Sequence, residues 1–181
     1  MDKMNFPTET VTLPSMGLVY PESSPLSKGE IEMRYMTAAH EDIITNINFI
    51  KQGTAVEKLL KELIVTPVDL DEMIVGDKNA VLFSARILGY GKDYEIPFRN
   101  EQTGKQDIYV ADLTKLENKV VDENLFKPGK NEFTFILPKS KHTVTFKLLT
   151  GKDEKAIEAE IKGLLKANPN GSFENTTRLK Y

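Results

Sequence analysis

An α+β fold is predicted by three features of the sequence. Apolar residues recur at helical spacing up to about residue 92. From Tyr94 they recur in short alternating runs separated by turn-forming loops, and an amphipathic helical stretch closes the chain. The expected layout is an extended N-terminal arm (1–29), a helical subdomain with one leading strand (30–92), and antiparallel β hairpins with a C-terminal amphipathic helix (93–181), the last two forming one unit.

The arm comes first. Pro7, Pro14, Pro21 and Pro25 each fix φ and remove a backbone donor, which excludes a long helix. Leu13, Met16, Leu18, Val19 and Tyr20 nevertheless give it something to bury. It reads as a segment laid across a surface, its own or a neighbour's. Ile31 to Met36 then alternates, with Ile31, Met33 and Tyr35 on one face, as a strand does. Thr37 is placed to cap a helix carrying Ile43, Ile44, Ile47 and Ile50 and stopped by Gly53. Thr54 and Glu57 have capping-box spacing ahead of an apolar stripe of Val56, Leu59, Leu60, Leu63 and Ile64. After a turn framed by Asp69 and Glu72, Asp77 reads as an N-cap. The helix behind it is apolar on most sides (Ala80, Val81, Leu82, Phe83, Ala85, Ile87, Leu88), which predicts a central position. The expected core therefore includes Leu60, Leu63, Val81, Leu82, Phe83 and Ile87.

Tyr94–Phe98 and Asp107–Leu113 flank a polar loop at 100–104, and Phe133–Leu137 and Thr143–Leu149 flank another at 138–142. Both read as hairpins of one antiparallel block, with Val120 and Val121 as candidates to extend the sheet. Thr150 and Asp153 form a second capping pair, and Ala156, Ile157, Ile161, Leu164 and Leu165 make the apolar face of the last helix. Beyond Asn168, Thr176 or Thr177 reads as the cap of a helix at Arg178–Tyr181, where the sequence stops. That pattern implies a chain that continues or an end that docks on a partner.

Composition narrows the chemistry. The 181 residues are 40% hydrophobic and 28% charged, with 24 basic and 27 acidic residues giving a net charge of −3. This is the balance of a globular chain. Charges of both signs are scattered and no basic run tracks a phosphate backbone, so no nucleic-acid partner is expected. No apolar run approaches the roughly 20 residues that span a membrane, so no membrane insertion is expected. The first residues lack the apolar core of a signal peptide. Cysteine is absent, which removes disulfides, thiolate nucleophiles and cysteine-ligated zinc together. The two histidines, His40 and His142, are far apart and read as satisfied or solvent-facing side chains.

The densest carboxylates, Asp69, Asp71, Glu72 and Asp77, are accounted for by capping. Gly89-Tyr90-Gly91 follows a helix, whereas a dinucleotide fingerprint follows a strand, so it reads as a helix stop. Arg86, in the most apolar helix, is expected to pair with Asp93, Asp107 or Asp112 as a tie between helix and sheet. No catalytic constellation, cofactor, metal or small-molecule substrate emerges, and action through protein surfaces is the expectation. The candidate contacts are Leu13, Pro14, Met16, Leu18 and Tyr20 in the arm, Phe98 in the first hairpin, and Arg178, Leu179 and Tyr181 at the end.

Five segments carry a resemblance: LPSMGLVYP (13–21), IEMRYMTAAHEDII (31–44), KQGTAVEKLLKELI (51–64), VGDKNAVLFSARILGYGKDY (75–94) and VADLTKL (110–116). In this order they resemble the baseplate hub and hub-assembly proteins of T-even-type contractile-tailed bacteriophages. The resemblance implies a role in tail assembly in the host cytoplasm with other phage tail and baseplate proteins as partners, and leaves open whether the protein stays in the virion baseplate. It fits a structural hub component or an assembly chaperone that leaves before the particle is mature. Members of that family often carry a Cys-x-x-Cys-like pair where this chain has Ile96-Pro97-Phe98-Arg99-Asn100. Without it, the hairpin is expected to be held by packing of Phe98 and the loop before Gln106. The Thr-Thr-Arg-Leu ending resembles a family segment that continues further.

Overall fold

The arm supplies the first strand. In the computed structural model, which describes residues 7–120 and 122–181, β1 (Thr8–Thr12) pairs antiparallel with β2 (Glu30–Arg34), Val11 opposite Ile31. The alternation read in β2 holds, since Ile31 and Met33 are buried while Glu30, Glu32 and Arg34 face solvent. Between the strands the chain makes a tight loop. Leu13 N–H donates to Gly29 O at 2.8 Å, and Ser24 caps a short 3-10 turn at Pro25–Lys28. Gly29 sits at φ 71°, and a Cβ there would stand 2.7 Å from the Met16 backbone. This close backbone approach, at an angle L side chains avoid, explains why glycine occupies the position. The arm thus lies on its own chain, with Leu13, Val19, Tyr20 and Leu26 in the core.

The first expected helix is two: α1 (Ala38–Thr45) and α2 (Ile47–Gln52). Asn46 breaks it with an extended backbone, and its side chain accepts from the Asn48 and Phe49 N–H groups at 3.0 and 3.3 Å. A short amide side chain that satisfies two free helix donors competes well with continuing one helix. The break turns Ile47 and Ile50 to solvent. In α3 (Ala55–Leu63), Leu59, Leu60 and Leu63 are buried as the stripe predicted. The Thr54 hydroxyl makes no capping bond, however: its backbone is helical (φ −104°, ψ −6°) where a cap is extended, and the Glu57 carboxylate pairs with Lys61 and Lys155. Past α3 the chain runs beside β2: Val65 N–H donates to Glu32 O and Glu32 N–H to Thr66 Oγ1, both at 2.8 Å, closing the open sheet edge.

The long helix α4 (Val75–Tyr90) begins at Val75, so Asp77 lies in its first turn and is not its cap. Among the residues predicted for its core face, Val81 is buried and Ile87 partly so, whereas Leu82 and Phe83 are exposed. One side of α4, through Asp77, Val81 and Ala85, meets the core, and the Leu82–Phe83 side stays exposed. An all-apolar helix is therefore flanked here, not surrounded.

Among the described residues the β region forms two separate hairpins and no common sheet. β3 (Asp93–Arg99) pairs with β4 (Gln106–Asp112), and β5 (Phe133–Ile136) with β6 (Thr143–Phe146). Val120 is exposed and outside any strand, and Val121 falls outside the described residues. α5 (Gly151–Ala167) starts on the predicted capping box, with Thr150 and Asp153 each bonding the other's backbone N–H. Its first turn docks on the 70–74 turn, where Gly151 and Lys152 N–H donate to Met73 and Asp71 carbonyls at 2.9 Å. The final helix, α6, is Glu174–Arg178 and ends where the sequence reading started it. Thr177 is buried against α5 instead of capping. The architecture is α+β, with six α-helices and three small antiparallel sheets among the described residues.

Candidate interaction surface

One buried carboxylate places the long helix. Asp77, fully inaccessible, accepts hydrogen bonds from Ser15 N–H (3.0 Å), Ser15 Oγ (2.6 Å) and Tyr20 Oη (2.7 Å). The Tyr20 hydroxyl in turn accepts from the N–H of Ile74, the N-cap residue of α4, at 3.0 Å. A hydroxyl from the arm thus does the work of a local cap, and an acid in the first turn suits the helix dipole. Burial first, then the Asp77 charge, pushes the Tyr20 phenol far above its usual range, so it remains a donor. This network corrects two expectations. Asp77 is a long-range anchor, and Leu13 and Tyr20 are spent inside the chain, not offered to a partner. Nothing local in the sequence marks a partner more than fifty residues away.

With α4 held this way, its far side opens into a groove of about 400 Å³. Met36, Ile44, Val56, Leu82, Phe83 and Tyr94 bring apolar atoms to it from α1, α3, α4 and the start of β3. Arg86 forms one wall. Its guanidinium donates to the backbone carbonyls of Gly91 (3.1 Å) and Asp93 (3.2 Å) and stacks on Tyr90 and Tyr94, with centroids 5.0 and 5.5 Å away. It ties helix to hairpin as expected, but through carbonyls and rings. The candidate acid Asp112 is held by Lys92 at 2.9 Å, and its carboxyl is lowered to about 2 by the Thr114 hydroxyl and by Lys92.

The groove continues onto the β3–β4 hairpin. Residues directly opposite share a face, so Tyr94, Ile96 and Phe98 lie beside Ala111, Tyr109 and Asp107. Its apolar side chains Tyr94, Ile96, Phe98 and Tyr109 are exposed. Packing therefore does not hold the hairpin, contrary to the reading of Phe98. The strand ladder and the Asn100 turn hold it, with Asn100 Oδ1 accepting from Gln102 and Thr103 N–H and Arg99 Nε donating to Gly104 O. The second hairpin carries a similar face of Phe133, Phe135, Val144 and Phe146, of which Phe133 packs edge-on against Phe126.

The other predicted contacts divide. Met16 is exposed, and Pro14 and Leu18 are half-buried beside it. At the end of the chain, Arg178 binds Glu154 (Nη2 to Oε2 3.1 Å), and Lys180 and Tyr181 bind Glu160 at 2.8 and 3.0 Å, while Leu179 points outward. Of the three terminal residues expected to meet a partner, Arg178 and Tyr181 thus dock on α5. His40 Nδ1 accepts from Thr37 N–H as part of the α1 cap, and His142 is exposed at the second hairpin. Among the described residues, no group of three or more His, Asp or Glu is placed to hold a metal, and no helix is long and apolar enough to cross a membrane.

No protein-family model matches this sequence, and no curated protein or solved structure is significantly similar to it.

Proposed function

We propose that this chain is a non-enzymatic assembly or structural protein of a contractile phage-tail baseplate, working through protein–protein contacts. The observation that carries the contact-making part is the continuous apolar surface from the α4 groove to the β3–β4 face, exposed among the described residues. Exposed apolar patches of this extent mark docking surfaces in soluble proteins. The baseplate assignment rests on the ordered resemblance across residues 13–149. The protein is then made and acts in the host cytoplasm, with other tail proteins as its partners.

Quantitative mass spectrometry of purified particles beside infected-cell lysate tests this reading. A fixed low copy number in particles is the result expected of a structural component. Abundance in lysate with absence from particles identifies an assembly chaperone. Failure of tagged protein to retain any tail protein in pull-downs from infected cells overturns the proposal.

A further inference from the structure

The β3–β4 hairpin has two outer edges, and they differ. Its ladder is bracketed by Leu113 N–H to Lys92 O and Asn100 N–H to Lys105 O, both 2.9 Å. Counting inward from these bonded pairs, Phe98–Asp107, Ile96–Tyr109 and Tyr94–Ala111 exchange the internal bonds. The alternate residues turn their N–H and C=O groups outward. On β3 these are Glu95, Pro97 and Arg99, and Pro97 has no N–H to offer, so this edge is blocked at its middle. On β4 they are Gln106, Ile108, Val110 and Asp112, with no proline. Among the described residues no strand pairs with that edge. Its one covered donor is Ile108 N–H, held by the neighbouring Asp107 Oδ1 at 2.9 Å, a local contact that an incoming carbonyl replaces.

We infer that the β4 edge docks a second copy of this chain, strand to antiparallel strand, about a two-fold axis through Tyr109. The charge and apolar pattern of β4 is self-complementary in that register. Ile108 faces Val110 of the second copy, Tyr109 faces Tyr109, Asp107 faces Ala111 and Gln106 faces Asp112. No like charges stand directly opposite, and the outward-turned residues meet as bonded pairs, as the ladder requires. The side chains brought together are those the monomer leaves bare: Ile108 is 59%, Tyr109 60% and Val110 53% exposed. Moving the axis to Val110 sets Ile108 against Asp112, and moving it to Ile108 runs Asp112 past the strand onto Gly104, so the Tyr109 register is the one that uses all of β4. The product is a four-stranded sheet whose outer edges are the proline-blocked β3 strands. It relieves the weakness of a two-stranded ribbon standing alone in water. A C₂ interface of this kind is isologous, the commonest closed arrangement. The pairing is independent of the baseplate reading and stands or falls on its own measurement.

Light scattering on the full chain across the micromolar range is expected to give twice the 20.4 kDa chain mass. Ile108→Lys with Val110→Lys opposes lysines across the axis and is expected to give monomer. Ile108→Glu with Val110→Lys opposes Glu to Lys in this register alone and is expected to restore dimer. Circular dichroism checks that both variants keep the fold, which the exposure of both sites favours. Because the chain has no cysteine, Tyr109→Cys reports the register directly, as a disulfide-linked dimer on a non-reducing gel. A wild-type monomer throughout the range overturns the inference, as does a dimer that survives the double-lysine change.

Discussion

β2 and β3 carry the same kind of alternation and meet opposite fates. Ile31 and Met33 in β2 are buried, because α3, α4 and the arm close over that face. Ile96 and Phe98 in β3 stay exposed, because none of the described residues crosses theirs. The cluster of buried apolar residues runs from Val11 to Ala85, and among the described residues of β3, β4, β5 and β6 a single side chain, the partly buried Phe133 of β5, packs against it. A period of two therefore tells which side chains share a face. Whether that face is covered depends on what the topology brings over it. The region up to residue 90, with α5 against it, is a self-sufficient core. The hairpins are a surface in want of a cover.

The largest expected effect breaks the self-sufficient half. Asp77→Ala strands the Ser15 N–H and the Ser15 and Tyr20 hydroxyls in a dry interior and removes what holds the arm to α4. Loss of a buried hydrogen-bonded carboxylate costs about 3–5 kcal/mol, read by urea denaturation. Asp77→Asn keeps the shape but offers one acceptor oxygen in place of two, so a smaller loss of about 1–3 kcal/mol is expected. Equal, near-zero effects from both variants would mean that the arm is held by apolar contact alone. Leu60→Ala, at a fully buried site in α3, is expected to cost about 2–5 kcal/mol.

Much of this half was legible in the sequence. The β2 alternation, the α3 stripe and the Thr150–Asp153 capping box are local patterns whose partners lie within a few residues. The Asp77 network and the break at Asn46 were not. The first depends on a chain reversal that brings residues 15 and 20 to the start of α4. The second is a contest between a side-chain cap and helix propagation that spacing alone does not decide. On the surface, the hairpin strands were legible to within three residues, the largest miss being β6, which ends at Phe146 where the alternation ran to Leu149. The separateness of the hairpins was not, because sheet joining depends on edges meeting in space.

A smaller effect comes from the ion pairs that join α3 to α5. Glu57 binds Lys61 at 2.7 Å and Lys155 at 3.0 Å, and Lys155 also reaches Asp71 at 2.6 Å. Hydrogen bonding to Lys61, then Lys155, lowers the Glu57 carboxyl to about 2 from 4.5. A carboxyl depressed by folding adds stability above its unfolded value, and that stability is lost as pH falls through the folded one. Wild type is therefore expected to exceed Glu57→Gln in denaturant midpoint near neutral pH, with the gap narrowing between about pH 4.5 and pH 2. A gap constant across that window would show that the pairing is too solvated to matter.

The smallest effect sharpens the comparison most. Phe83 sits in the most apolar helix of the chain, and by pattern alone its truncation would cost about 3–5 kcal/mol. In the structure its ring is half exposed (50%) on the groove side of α4, so Phe83→Ala is expected to cost less than about 1 kcal/mol in the isolated chain. A ring kept on a surface at so little benefit to folding belongs to the uncovered region, although its helix belongs to the core. If the groove is a docking site, the same substitution weakens capture of tail proteins while leaving the denaturation midpoint nearly unchanged. A large loss of stability would instead return Phe83 to the core and erase the boundary drawn along α4.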